Sequence, residues 1–178
     1  MPTIKPGDRV VVNKLIMGAR IYKDYNFTLQ GVELNSFRTR GIRLLKHNDI
    51  VVFNFPVHNG KISFIINEPF CKRIVALPGD TISINNGFYK NNNYNGILGD
   101  SLQQQCLSQV SESSLPVNND FSFENQFNCH ATIKNMPPLY VPRKGDVITL
   151  NTQNLSQYRI ILEWELGKKI TLDAQNNN

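Results

Sequence analysis

The stretch FCKRIVALPGD, Phe70 to Asp80, decides how the chain folds, because it runs an apolar strand into a sharp turn and sets a lysine in the middle. Alternation with a period of two puts Phe70, Lys72, Ile74 and Ala76 on one face, and Cys71, Arg73, Val75 and Leu77 on the other. Lys72 therefore has apolar neighbours. Desolvation penalises an ammonium more than a neutral amine, so a lysine held in such a place is able to serve as a general base near neutral pH. The competing reading is a lysine that lays its stem along apolar surface and reaches water from a sheet edge. The strand pattern alone leaves both open.

The turn that closes this stretch is one of four. Pro6-Gly7-Asp8 precedes Arg9 to Val12, His47-Asn48-Asp49 precedes Ile50 to Phe53, Pro78-Gly79-Asp80 precedes Thr81 to Ile84, and Lys144-Gly145-Asp146 precedes Val147 to Leu150. Pro and Gly supply turn dihedrals, Asp bonds nearby backbone amides, and the β-branched runs next in the chain favour strands. With Ile62 to Ile66 and Phe70 to Leu77, set apart by the breakers Asn67 and Pro69, the pattern predicts a mostly β chain with short connections. Between Asn85 and Pro138 the composition shifts to Asn, Gln and Ser, which reads as a looser, inserted region. From Asn154 to Gly167 both a helical face and a strand alternation fit. Asn154 as N-cap and Gly167 as stop favour one short helix, followed by a short strand over Lys168 to Leu172.

A chain of 178 residues, 40% hydrophobic, is long enough for one domain with a core, or for one domain carrying a large insertion. Its net charge of +5 is diffuse except at Arg38, Arg40, Arg43 and Lys46. That cluster points to phosphates or anionic lipid, or else to a solvated basic loop. No nucleic-acid motif is present, and nucleic acid is not an expected partner. Cys71, Cys106 and Cys129 lack metal-ligand spacing, and His47, His58 and His130 are scattered, so neither a metal nor another cofactor is expected. A Cys106–Cys129 disulfide and three free thiols both remain open. No run approaches the roughly 18 apolar residues of a membrane span.

Two segments together resemble type I signal peptidases, the membrane-bound serine/lysine endopeptidases of bacterial secretion. MPTIKPGDRVVVNK, Met1 to Lys14, is similar to the family's run from Ser-Met-x-Pro-Thr-Leu into Gly-Asp-x-x-x-Val-x-Lys. FCKRIVALPGD is similar to its Lys-Arg-x-x-x-x-Pro-Gly-Asp segment, and HNDIVVFNFP, His47 to Pro56, to the strand between them. YVPRKGDVITL, Tyr140 to Leu150, is similar to a later segment of some members. The resemblance implies that Lys72 is the general base and Arg73 its following arginine, while Pro2, Gly7, Asp8, Pro78, Gly79 and Asp80 shape turns. It implies a signal-peptidase-like β-rich catalytic core over residues 1–84 and an inserted β-rich region over 85–178.

The departures from the family pattern matter as much. The nucleophilic serine stands three residues before the proline that matches Pro2, and the family's Gly-Asp-Asn-Arg…Ser…Asp-Ser-Arg segment has no counterpart through Asn178. The expectation is a fragment that is silent by itself. Its parent would be anchored in membrane lipid and would cut the signal peptides of exported preproteins at the outer face of a bacterial cytoplasmic membrane. Ile4, Val10, Phe70 and Cys71 are candidates for apolar pocket walls against an extended peptide, with plain core as their alternative. Two other functions are weighed: a soluble self-cleaving Ser/Lys peptidase of the repressor type, and a noncatalytic cell-surface β module.

Overall fold

The computed structural model describes residues 4–5, 7–23, 36–54, 57–58, 61–62, 69–115, 132–151 and 154–167. Two short antiparallel pairs come first in the chain: β1 (Arg20–Tyr22) with β2 (Ser36–Arg38), and β3 (Ile50–Asn54) with β6 (Pro69–Arg73). Between β3 and β6 in sequence, β4 (Val57–His58) pairs with β5 (Lys61–Ile62). Next comes a three-stranded antiparallel sheet of order β8-β7-β9, from β7 (Thr81–Asn85), β8 (Phe88–Asn91) and β9 (Met136–Tyr140). Two helices complete the described residues, α1 (Ser101–Gln109) and α2 (Leu155–Leu166), with a 3-10 turn at Glu112–Ser114. The chain is mostly β, built from small antiparallel sheets. No helix among the described residues is long and apolar enough to cross a membrane.

All four Asp turns form, and they form alike. In each, the Asp side chain accepts from the backbone amide three residues earlier: Lys5 at 2.8 Å, Lys46 at 2.8 Å, Leu77 at 2.8 Å and Arg143 at 2.9 Å. In each, the Asp amide also donates back to that residue's carbonyl, at 3.0 to 3.1 Å. The residue before each Asp takes a positive φ: Gly7 95°, Asn48 68°, Gly79 95° and Gly145 92°. A type II turn requires this of its third residue, which is why Gly or Asn recurs there.

The apolar runs beyond the turns have two fates. Ile50–Asn54 and Thr81–Asn85 are strands, as expected, whereas Arg9 to Val12 and Val147 to Leu150 run without a strand partner among the described residues. β-branched residues suit a pleated surface but do not supply the neighbour that makes one, and Val11 is 99% exposed. The strand expected over Phe70 to Leu77 ends at Arg73, and Pro69, read as a breaker, is its first residue, opposite Asn54. A first residue needs no ladder donor, so proline is tolerated there. Of Ile62 to Ile66 only Ile62 is described; Pro2, Cys129, His130 and the strand expected over Lys168 to Leu172 lie outside the described residues.

The described residues of the stretch expected to be loose are firmly tied to their surroundings. Asn86 and Gly87 both take positive φ, 48° and 85°, and join β7 to β8 as a two-residue hairpin turn, the conformation that Asn-Gly favours. A Cβ on Gly87 would meet the Gln104 carbonyl oxygen at 3.2 Å, so the turn seats directly on α1. Asp100 caps α1 by accepting from the Gln103 amide at 3.0 Å. Buried Gln104 then ties the helix to its surroundings, donating to the Leu98 carbonyl at 2.6 Å and accepting from the Tyr89 amide at 3.0 Å. Ile82 and Leu98 are buried in the same region of the chain, and the buried Lys134 ammonium donates to the Val110 carbonyl at the helix's far end. A cation there suits the negative end of the helix dipole.

The carboxyl-terminal helix lies where its pattern predicts, with Tyr158 buried and its hydroxyl donating to the Tyr140 carbonyl of β9 at 3.0 Å. Gly167 is left-handed at φ 62° and stops it. Asn154 does not cap in the expected way. Its side chain accepts from the Asn151 amide and donates to the Thr149 carbonyl, bracing the preceding loop instead.

Because Gly79 sits at φ 95°, Gly79→Ala is expected to lower stability by about 1–2 kcal/mol in urea unfolding, with the Cβ itself in ordinary contact with Arg143. An unchanged midpoint would mean that the turn relaxes to another form.

Candidate functional site

β6 carries Lys72, and its pairing with β3 fixes what surrounds that side chain. The register sets Val51 opposite Lys72, Phe53 opposite Phe70, and Val52 opposite Cys71. Directly opposed residues share a face and neighbours alternate. One face of this ribbon therefore presents Val51, Phe53, Phe70 and Lys72; the other presents Ile50, Val52, Cys71 and Arg73. The Phe53 and Phe70 rings stack with centroids 6.4 Å apart, and the Lys72 Nζ stands 5.9 Å from the Phe70 centroid. The shared face of Phe70 and Lys72 is as expected. The burial is not: Lys72 and Phe70 are exposed, and no second layer covers the ribbon among the described residues. Phe70 and Cys71, both candidates for the pocket wall, point to opposite sides, and Cys71 is a half-buried free thiol. Ile4 is half-buried and Val10 is exposed on the extended amino-terminal segment.

The segment just past β6 leaves the ladder and is held by turns. Ile74 donates to the Asp49 carbonyl at 2.9 Å and accepts from the Asn48 amide at 2.8 Å. Arg73 donates to the Asn48 carbonyl at 3.0 Å, so the arginine after Lys72 clamps the neighbouring turn. Asn48 extends the clamp, its side chain donating to the Ile97 carbonyl and accepting from the Gly99 amide, both at 2.8 Å. Arg43 grips Asp49 with two bonds, 2.7 and 3.0 Å, and Asp49 is pulled down to about 2, chiefly by that guanidinium and then by the Lys46 amide.

Asp80 is the hub. It is 4% exposed, and its carboxylate accepts from His47 Nε2 at 2.7 Å, the Leu77 amide at 2.8 Å, Asn91 at 2.9 Å and Asn93 at 3.0 Å. Burial pushes against ionisation here, but the bonds from Asn91, Leu77, His47 and Asn93 outweigh it and hold the group well below the usual carboxylate range. His47 stacks on Tyr94, ring centroids 4.4 Å apart. Asn91 also donates to the Val75 carbonyl, and Asn92 accepts from the Thr81 amide at 2.6 Å. Asn91 and Asn93, in the run Lys90-Asn91-Asn92-Asn93 read as part of a loose insertion, thus belong to the shell of a buried charge. Asparagines fit because each presents two donors and an acceptor without adding charge. The clue available in sequence is the Asn86-Gly87 hairpin, which sends β8 back alongside the Asp80 turn.

The last turn docks on the same hub. Gly79 donates to the Val141 carbonyl at 2.7 Å, and Val141 to the Asp80 carbonyl at 2.8 Å. Asp146 accepts from Tyr140, from the Arg143 amide and from the Arg143 guanidinium, which hold it near 2, the tyrosine hydroxyl foremost. The described residues contain no group of three or more His, Cys, Asp or Glu side chains able to hold a metal.

Lys72, Arg73 and the Pro78-Gly79-Asp80 turn thus lie in one continuous segment, the lysine exposed on the strand and the arginine tied to the neighbouring turn. The family described as signal peptidase, peptidase S26, matches residues 1–154, and the chain belongs to it. It is similar to the "Probable signal peptidase I-1" of Synechocystis sp. (strain ATCC 27184 / PCC 6803 / Kazusa), 28% identical over 116 residues. The match covers 65% of this chain and 44% of that relative, so the chain spans less than half of the relative's length. No solved structure matches it significantly.

Asp49, Asp80 and Asp146 all titrate lower in the folded chain than in the unfolded one. Their stabilising effect is therefore complete above about pH 4, the unfolded value, and drains away as pH falls toward 2. Unfolding midpoints should drop between pH 7 and pH 3. Asp80→Asn is expected to lose about 2 kcal/mol at pH 7 and to narrow that drop, since an amide cannot accept from all four donors. A pH response identical to that of the parent would show that Asp80 has no part in it.

Proposed function

We propose that this protein belongs to a membrane-anchored endopeptidase that removes signal peptides from exported preproteins, and that Lys72 is its general base. The observation that carries the reading is Lys72 itself: an exposed lysine on an open apolar face with Val51, Phe53 and Phe70, in a chain of the signal peptidase family. In the proposed reaction the neutral amine takes the proton of a serine hydroxyl as that oxygen attacks the scissile carbonyl. The acyl-enzyme forms, the amine of the cut peptide leaves, and water releases the acyl group. No residue of the chain matches the position of that serine.

The open face bears on how the amine is kept neutral. An extended peptide laid along β6 would itself exclude water from the lysine, so the desolvation that the free ribbon lacks would come with substrate. Phe70, on the same face, is then the best placed of the proposed pocket residues. The family resemblance adds a preference for small side chains, typically Ala, at the first and third positions before the cut. The same reading makes residues 1–84 the catalytic core and 85–178 an insertion, with the catalytic part on the outer face of the cytoplasmic membrane.

The test is preprotein cleavage by the complete gene product. Lys72→Ala is expected to lower kcat/KM by about a thousandfold while leaving the melting temperature unchanged, and Lys72→Arg, which cannot release its proton, by as much. Cleavage retained in Lys72→Ala would overturn the assignment.

A further inference from the structure

The turn at Asn48 differs from the other three Asp turns in one respect: Gly7, Gly79 and Gly145 have no side chain at the positive-φ position, and Asn48 has one. At φ 68° a glycine would sit with less strain, so the turn itself does not call for asparagine. The side chain is used beyond the turn. It donates to the Ile97 carbonyl and accepts from the Gly99 backbone amide, both at 2.8 Å, joining the turn to a loop 49 and 51 residues further on. That loop is a firm seat. Leu98 is buried and its carbonyl accepts from Gln104 of α1 at 2.6 Å, while Gly99, at φ 72°, lies so close to the Tyr89 ring that a Cβ would meet it at 3.2 Å.

On its other side the same turn holds the end of β6. The Asn48 carbonyl accepts from Arg73, the Asn48 backbone amide donates to the Ile74 carbonyl, and the Asp49 carbonyl accepts from the Ile74 amide. The two residues after Lys72 are thus pinned to the turn. No other strand or helix among the described residues packs on the ribbon of β3 and β6, and a two-stranded ribbon is marginally stable by itself. We propose that Asn48 is a positioning residue for the cleavage reaction: through its side chain the Ile97–Gly99 loop fixes how the ribbon presents Lys72 to the serine hydroxyl. The Asn-rich stretch thereby sets the geometry of the general base from outside the strand that carries it. The inference rests on the reading of Lys72 as that base. Proton transfer needs the amine within hydrogen-bond reach of the hydroxyl, and a misplacement on the order of 1 Å costs up to about a hundredfold in rate.

The test is preprotein cleavage by the complete gene product carrying Asn48→Gly, which suits the positive φ, leaves every backbone bond of the turn possible and deletes the side-chain bridge. Measured per folded molecule and well below the variant's own melting temperature, kcat is expected to fall about tenfold with KM changed by less than about twofold. Asn48→Asp, which still accepts from Gly99 but does not donate to Ile97, should recover part of the loss and fall only about threefold. The same readouts on Asn48→Asp decide the case should the glycine variant not fold. An unchanged kcat, a rise in KM alone, or a loss in Asn48→Asp as large as in Asn48→Gly would each overturn the inference. Lys72→Ala assayed alongside separates the two readings. If it still cleaves, the base assignment fails and this inference with it; if it is inactive while Asn48→Gly equals the parent, this inference alone fails.

Discussion

The buried carboxylate of Asp80 is the constraint on which the rest of the described structure depends. A charge at that depth is tolerated only when its lone pairs are occupied, and the four donors that occupy them come from three separate segments. Meeting that requirement draws the His47 turn, the Leu77 turn and the Asn91–Asn93 loop onto one point. β6 is delivered to this point by Arg73 and Ile74, so the strand with Lys72 takes its position from a polar centre more than from apolar packing. Few apolar side chains are deeply buried among the described residues, which gives such polar centres more of the architecture to determine.

A single local device is used four times, with different surroundings deciding its outcome. At Asp8 it closes a turn on an exposed segment; at Asp49 it is reinforced by a guanidinium; at Asp80 it is buried; at Asp146 it is tied to Tyr140. The turn is intrinsic to the four residues that make it. Whether the apolar run beyond it becomes a strand is not, since a ladder needs a partner supplied from elsewhere.

The same distinction explains how much is legible in the residues alone. Pro78-Gly79-Asp80 states its own geometry, as does Gly167 as a helix stop, while the helix over Asn154 to Gly167 is legible only through its ends, since its interior fits a strand as well. The face shared by Phe70 and Lys72 comes directly from strand alternation. The exposure of Lys72 does not, because alternation names a residue's companions but not whether another layer covers them. The order in the asparagine run is hidden because composition averages over positions, while Asn91 and Asn93 matter through a partner eleven and thirteen residues away. His47 carries no local sign of its role at all, its partner being 33 residues distant.

These separations set an order of events as well. The Asp turns span four residues each and close on the short timescale of local loops, before long stretches of chain need be ordered. The hub cannot be completed so early, because His47 must find Asp80 across 33 residues. A nascent chain would thus carry preformed turns, with Asp80 still hydrated, until the Asn-rich loop arrives to surround it, so burial of that charge belongs to a late step of folding.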